Sequence, residues 1–386
     1  MKFEGQINGK LPQAGTSVFS TMSAMAVEEN AINLAQGFPD FQCHEDFIRL
    51  VHEAMQKGMN QYAPMAGLMS LREKIAAKTE ELYSAVYHPE SEITVVPGAT
   101  LGLFAAITAL VKENDEVIVI EPAYDSYIPA IELTGAKAIV CEMNFPDYKI
   151  NWDSLKKLMS IRTRMIIINS PHNPSGATLT AEDMRKLEKL VHNTDIIILS
   201  DEVYEHIIFD GLEHQSIARY PHLASRAVIV SSFGKTYHTT GWKAGYLLAP
   251  ENITTQIRKA YQFMAFASNT PVQFAYAELL NNKDLYLSLS GFYQDKRDFF
   301  RKGLRGTSFK LLPCNGSYFQ SVSYEKTSEA ERKDFEMAEW LTREKKVAAI
   351  PVSAFYKRKT DNKVLRFCFA KTEETLDLAL KRLQKI

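Results

Sequence analysis

No stretch of this sequence approaches the ~20 consecutive apolar residues that a membrane-spanning helix needs, and residues 1–21 build no apolar core long enough for a signal peptide. Neither sign of charge is in excess. With 45 lysines and arginines against 46 aspartates and glutamates, no strong overall field draws the chain to nucleic acid or to an anionic membrane. Residues 1–21 are also too short for a fused DNA-binding module. Cysteine is scarce. Cys43, Cys141, Cys314 and Cys368 lie far apart and lack metal-ligand spacing, which argues against a disulfide framework or a metal site. They read as reduced thiols in a cytoplasmic protein. What is present is ordinary for a globular chain: 386 residues, 46% hydrophobic and 24% charged, enough to bury a sizeable core over two or so domains.

The apolar residues concentrate in short runs at 93–96, 117–120, 165–169, 196–200 and 227–231, separated by helical patterns such as 181–192. Ile and Val runs without alternation indicate strands buried on both faces, hence an α/β fold with a mostly parallel sheet covered by helices. Ligands on such sheets gather at the carboxyl ends of the strands. Tyr124, Asn173, Asp201, Tyr204 and Lys235 each follow one of these strands by a few residues, so they are expected near one another. A strand is also expected at 246–249 and helices at 47–57, 68–83, 253–266 and, as a bridge to a second domain, around 286–304. That domain would hold strands at 308–312, 317–322 and 364–369 and helices at 330–345 and 373–386. Residues 1–21 read as an extended arm, and 23–29 as a short helix.

Three local patterns carry chemistry. The run at 93–96 leads through Gly98, Ala99 and Thr100 into a helix at 101–112, so that free backbone N–H groups and a positive helix end converge on a site for phosphate. The run at 227–231 ends in small, flexible residues that hold the amine of Lys235 at the rim of the sheet. Gly234-Lys235-Thr236 is not the tail of a nucleotide-binding loop, which would need glycine where Ile229 stands. Ser232 and Lys235 lack the companion motifs of an acylating serine. Finally, Arg366 stands in an otherwise apolar strand, where an unpaired charge would be costly but a planar fork would suit a carboxylate.

Six motifs in order, from Leu34 to the C-terminus, resemble those of class I/II pyridoxal-phosphate aminotransferases of fold type I, with methionine and kynurenine aminotransferases nearest. They are Leu34-Ala-Gln-Gly-Phe-Pro-Asp40, Asn60-Gln-Tyr-Ala-Pro64, Pro171-His-Asn-Pro-Ser-Gly176, Ser200-Asp-Glu-Val-Tyr-Glu-His206, the lysine stretch, and Leu365-Arg-Phe-Cys-Phe-Ala370. The resemblance implies a large cofactor-binding domain over 46–285, a smaller α+β domain over 286–386, and an arm and segment over 1–45 packing on the small domain.

It further implies pyridoxal 5'-phosphate as cofactor, joined covalently to Lys235, which then carries the substrate's proton. Asp201 would pair with the pyridine N–H, and Asn173 and Tyr204 would donate to the phenolic oxygen. Tyr124 would stack on the ring, and Gly98, Ala99, Thr100, Ser232 and Lys243 would hold the phosphate, together with Tyr62 of a neighbouring subunit. Arg366, Asn173 and Gly37 would take the substrate carboxylate.

A homodimer with shared active sites follows, acting on amino acids and 2-oxo acids. No counterpart of a second arginine for an acidic side chain is found. Apolar candidates such as Phe19, Tyr62, Tyr124 and Phe266 therefore suggest methionine, with aromatic amino acids or kynurenine, or β-elimination from cysteine conjugates, as rivals. A regulatory protein that keeps the fold without catalysis should have lost Lys235, Asp201 or Arg366, and all three are present.

Overall fold

The apolar runs form strands shielded on both faces. The computed structural model describes residues 1, 3–12 and 15–386. In chain order the strands are β1 (Ile32–Asn33), β2 (Ile93–Val96), β3 (Glu116–Glu121), β4 (Lys137–Glu142), β5 (Thr163–Asn169), β6 (Ile197–Asp201), β7 (Ala227–Ser232), β8 (Gly245–Leu248), β9 (Lys310–Leu311), β10 (Phe319–Ser323), β11 (Val347–Ala348), β12 (Ile350–Pro351) and β13 (Val364–Cys368).

Strands β2 to β8 make a seven-stranded sheet in the order β2-β8-β7-β6-β5-β3-β4. β8 runs antiparallel to both β2 and β7, whereas the other pairings are parallel. Six strands therefore point the same way, and their carboxyl ends share one edge. Alternate residues supply two separate cores. Ile118, Ile120, Ile166 and Ile168 face one layer of helices, and Val117, Val119, Met165 and Ile167 face the other. Each such side chain contributes about 1.5–3 kcal/mol by leaving water, which explains why the runs show no polar alternation.

The second sheet has the order β12-β13-β10-β9 and is antiparallel. Strand β1 pairs with β11, Ile32 opposite Val347, which ties the segment before residue 45 to the later part of the chain.

Several expectations shift. The helix expected at 101–112 spans Ala99–Leu110, so it starts two residues earlier, directly on Gly98. The helix expected at 23–29 spans Val18–Glu28, capped by the Ser17 hydroxyl, which accepts from the Ser20 N–H at 3.2 Å. Residues 18–21 therefore belong to a helix rather than to the arm, and residues 2, 13 and 14 of that arm lie outside the described ones. The bridging helix starts at Leu289, after a separate turn over Asp284–Leu287. Strand β4 and the short helices Tyr127–Leu133 and Trp152–Leu158 were not anticipated. Strand β4 lies at the sheet's margin with both ends exposed, and so lacks the long apolar run of its neighbours.

Candidate active site

At the shared edge the chain encloses a cavity of about 280 Å³, lined by residues from both sheets. Its floor is the ends of β5 and β6, where Asn169 pairs with Asp201. The Asn169 amide donates to the Asp201 carbonyl at 2.9 Å, and its oxygen accepts from the Asn173 N–H at 2.9 Å, which fixes the turn that follows β5. The Asp201 carboxylate accepts from the Tyr127 hydroxyl at 2.6 Å. Burial pushes its pKa up to about 6 even so, outweighing this bond, the Val203 N–H and the charge of Lys235.

Strand β7 ends at Ser232, and one helical turn, Phe233–Thr236, presents Lys235 above this floor. Gly234 is required there, because a Cβ would lie 3.0 Å from the Thr240 Cα. The Lys235 Nζ donates to the Tyr318 hydroxyl at 3.0 Å and to the Gly37 carbonyl at 3.3 Å, while Tyr318 donates to the same carbonyl at 2.6 Å. Burial, reinforced by the charges of Arg366 and Lys243, pulls the lysine's pKa down to about 8. About a tenth of it is therefore the free amine at pH 7, against a few parts in ten thousand for an ordinary lysine, and the free amine is the form that attacks carbonyls and accepts protons.

On one side the cavity meets the N-terminus of the helix Ala99–Leu110. Gly98 has φ +81°, and a Cβ there would lie 3.2–3.3 Å from the Cε and Nζ of Lys243. The amine of Lys243 thus sits over the helix start, beside Ser232 and Thr100. Gly245 is equally constrained: its Cβ would meet the Ser231 carbonyl at 2.5 Å and the Ala99 nitrogen at 3.0 Å. Free N–H groups, a helix dipole and a lysine on one spot make an anion site. Tyr124 flanks it, its hydroxyl 3.3 Å from the Thr100 Oγ1.

On the other side is Arg366, in the middle of β13 and fully buried. Its Nη1 donates to the Asn173 Oδ1 and its Nη2 to the Ala35 carbonyl, both at 2.8 Å, while its Nε has no partner among the described residues. The guanidinium carbon lies 3.9 Å from the Phe319 ring centroid and 5.3 Å from those of Phe19 and Phe355. Burial lowers its pKa to about 10.

The class I and II aminotransferase family model matches residues 29–383. The chain belongs to this family. It is 47% identical to a methionine aminotransferase of Escherichia coli strain K12 over 98% of its own length and 97% of the relative's. To a kynurenine–oxoglutarate transaminase of Dictyostelium discoideum it is 33% identical, over 96% and 94%. Among solved structures, an Escherichia coli protein with a methionine aminotransferase function superposes with a TM-score of 0.96 at 46% identity, covering 99% of this chain and all of that one.

Aminotransferases of this family use pyridoxal phosphate, and the cavity suits that group on its own evidence. It offers a buried amine of lowered pKa for the aldehyde, a buried carboxylate of raised pKa awaiting a cation, and an anion site at a helix start. Thirteen of the residues expected from the sequence line it together: Phe19, Gly37, Gly98, Ala99, Thr100, Tyr124, Asn173, Asp201, Tyr204, Ser232, Lys235, Lys243 and Arg366.

Two expected residues are not brought there. Tyr62 and Phe266 pack edge to face, with ring centroids 5.4 Å apart, on the outside of the aminotransferase chain. Phe266, exposed two residues beyond the helix Glu251–Met264, is absent from the cavity lining.

Residues without a sequence signal complete the site. Tyr127 holds Asp201, Tyr318 holds Lys235, Phe319 backs Arg366, and Phe38 and Leu103 add apolar wall. Of these, Tyr318 and Phe319 lie in the strand expected at 317–322, where the observed strand starts only at Phe319.

Proposed function

We propose that this aminotransferase takes methionine as its preferred amino donor, moving the amino group to a 2-oxo acid in two half-reactions. One observation carries the reading: the cations lining the cavity, among the described residues, are Lys235, Lys243 and Arg366. If Lys243 serves the cofactor phosphate and Arg366 the substrate carboxylate, no cation remains for an acidic side chain. The remaining wall is mostly apolar, with Phe19, Phe38, Leu103, Val203, Ala244 and Phe319 beside Asn169 and Thr240, and suits a thioether.

Pyridoxal phosphate, when bound, supplies the sink for the electron pair left when the substrate's Cα–H is broken. The chain does the rest. Lys235 is the amine to which the cofactor is joined and, once freed, the base that takes the proton at its Nζ and returns it. A pKa near 8 suits that double duty. Asp201 would pair with the pyridine nitrogen, whose cationic N–H would draw its pKa back down from about 6. Asn173 and Tyr204 would hold the phenolic oxygen, and Tyr124 would pack on the ring. Gly98, Ala99, Thr100, Ser232 and Lys243 receive the phosphate, and Gly37, Asn173 and Arg366 orient the carboxylate.

The exposed Tyr62 and Phe266 reach the site of a second copy in this reading, making the protein a homodimer with shared sites. Residues 1–45, 46–285 and 286–386 are taken as arm and segment, large domain and small domain. The two sheets fall within the latter two, and the pairing of β1 with β11 supports the first. No helix among the described residues is long and apolar enough to cross a membrane, and the four cysteines are unbonded, which supports a cytoplasmic setting.

The test is the visible absorbance of the cofactor-loaded protein near ~400 nm, followed on adding methionine, kynurenine, phenylalanine or aspartate. Fastest bleaching by methionine is expected. Fastest bleaching by kynurenine or phenylalanine would replace the donor, and by aspartate would overturn the argument from cations.

A further inference from the structure

Beneath the cavity, and outside its lining, lies a buried charge network that the reaction does not use directly. Lys78, from the helix Met69–Tyr83, and Glu205, from the loop after β6, are 6% and 5% exposed and meet at 2.8 Å. One Glu205 oxygen also accepts from the Ser231 hydroxyl at 2.5 Å and the Tyr246 hydroxyl at 2.8 Å, while the other accepts from Tyr83 at 2.6 Å. Lys78 spends its remaining protons on Tyr246 at 2.7 Å and the His206 Nε2 at 3.2 Å. Burial alone would raise the Glu205 pKa, but Lys78 and these donors hold it well below the carboxylate range. Burial holds His206 neutral, its pKa about 3, so its ring nitrogen can accept. Both ions are fully satisfied, the condition under which a buried pair can specify one arrangement.

Its location gives that arrangement a purpose. Tyr204 lines the cavity while Glu205, its neighbour, faces away into the network, and Asp201 lies one turn earlier. On the other side, Ser231 immediately precedes Ser232 and the turn bearing Lys235, and Tyr246 follows Gly245, which abuts the anion site. We propose that Lys78 and Glu205 are positioning residues for the cofactor: through Ser231 they lock the loop of Asp201 and Tyr204 in register with the turn of Ser232 and Lys235. This rests on the assignment of those four residues to the cofactor made above.

The experiment compares two single hydrogen-bond deletions around Glu205. Ser231→Ala cuts the link to β7, and Tyr83→Phe cuts an equally buried bond on the other oxygen, away from it. The measurements are the dissociation constant of the cofactor-free protein for pyridoxal phosphate, the visible circular dichroism per bound cofactor, and the thermal midpoint. S231A is expected to weaken cofactor binding about tenfold, the scale on which outer partners act on the groups they orient, and to diminish the dichroism. Y83F should lower the midpoint at least as much, yet leave affinity and dichroism near wild type. Wild-type affinity and dichroism in S231A would overturn the proposal, as would losses that follow the thermal midpoint equally in both variants. Lys235→Ala is the control for the underlying assignment. If borohydride still fixes pyridoxal phosphate covalently to that variant, the assignment fails, whatever the other two show.

Discussion

Replacing Arg366 by lysine separates geometry from charge at the end of the cavity proposed to take the substrate carboxylate. Arginine reaches Asn173 and Ala35 at once and still has N–H groups to offer a substrate. Lysine keeps a positive charge but presents a point donor rather than a fork. Losing one charge-assisted hydrogen bond of about 2 kcal/mol corresponds to roughly 30-fold in kcat/KM for methionine. Arg366→Met removes the charge altogether and should cost about 3–5 kcal/mol of substrate binding. R366M also leaves the Asn173 Oδ1 and the Ala35 carbonyl without their buried donor, so it should lose about 1–3 kcal/mol of stability per unpaired acceptor, a loss that is the same whichever amine is offered. The assay is kcat/KM for methionine beside that for an amine of the same chain lacking the carboxylate. Wild type should favour methionine strongly, and R366M should lose that preference. Equal losses on both amines would refute the carboxylate role, since the arginine would then be holding the cavity rather than the substrate.

Asp201→Asn tests the buried carboxylate in the cofactor-free protein. Its pKa is raised from 3.8 to about 6, so its stabilising contribution is complete below about pH 4 and is lost as pH rises through 6. That is about 3 kcal/mol at most. The variant's stability relative to wild type should therefore increase between pH 4 and pH 8 in urea titrations, and a flat difference would contradict it. Gly98→Ala puts a Cβ 3.2 Å from Lys243 at a positive φ and should weaken pyridoxal phosphate binding at least about tenfold; unchanged affinity would argue against the anion site. Mixed dimers of Lys235→Ala and Tyr62→Ala chains regenerate one complete site if Tyr62 acts across an interface. Activity above the sum of the separate variants is then expected after co-refolding, and strict additivity would show otherwise.

The fold was legible where burial is symmetrical. Strands β3, β5, β6 and β7 are shielded on both faces, so their sequences carry unbroken apolar runs, and the strand ends carry the polar residues that gather in the cavity. Strand β4 escaped because a marginal strand need not be apolar throughout. The start of the helix Ala99–Leu110 was placed two residues late because Ala99 and Thr100 look like turn residues when read singly. They are helical because Gly98, at φ +81°, lets the chain enter the helix at once.

Within the site, legibility followed how far a residue departs from its local surroundings. Arg366 in an apolar strand, Asp201 at a strand end and Lys235 after small residues are all out of place, and each lines the cavity. Tyr127, Tyr318 and Phe319 are aromatics among aromatics, ordinary for a core, and their roles arise from partners distant in sequence: 74 residues for Tyr127 with Asp201 and 83 for Tyr318 with Lys235. Lys78 and Glu205 are harder still. A lysine on an amphipathic helix and a glutamate in a loop are the commonest surface residues, and only the fold buries them, 127 positions apart. The charge of Glu205 is tolerable because Lys78, Ser231, Tyr246 and Tyr83 converge on it from three separate elements. Substitution of any one of the four should therefore be felt by the others, which would appear as non-additive stabilities in double-mutant cycles.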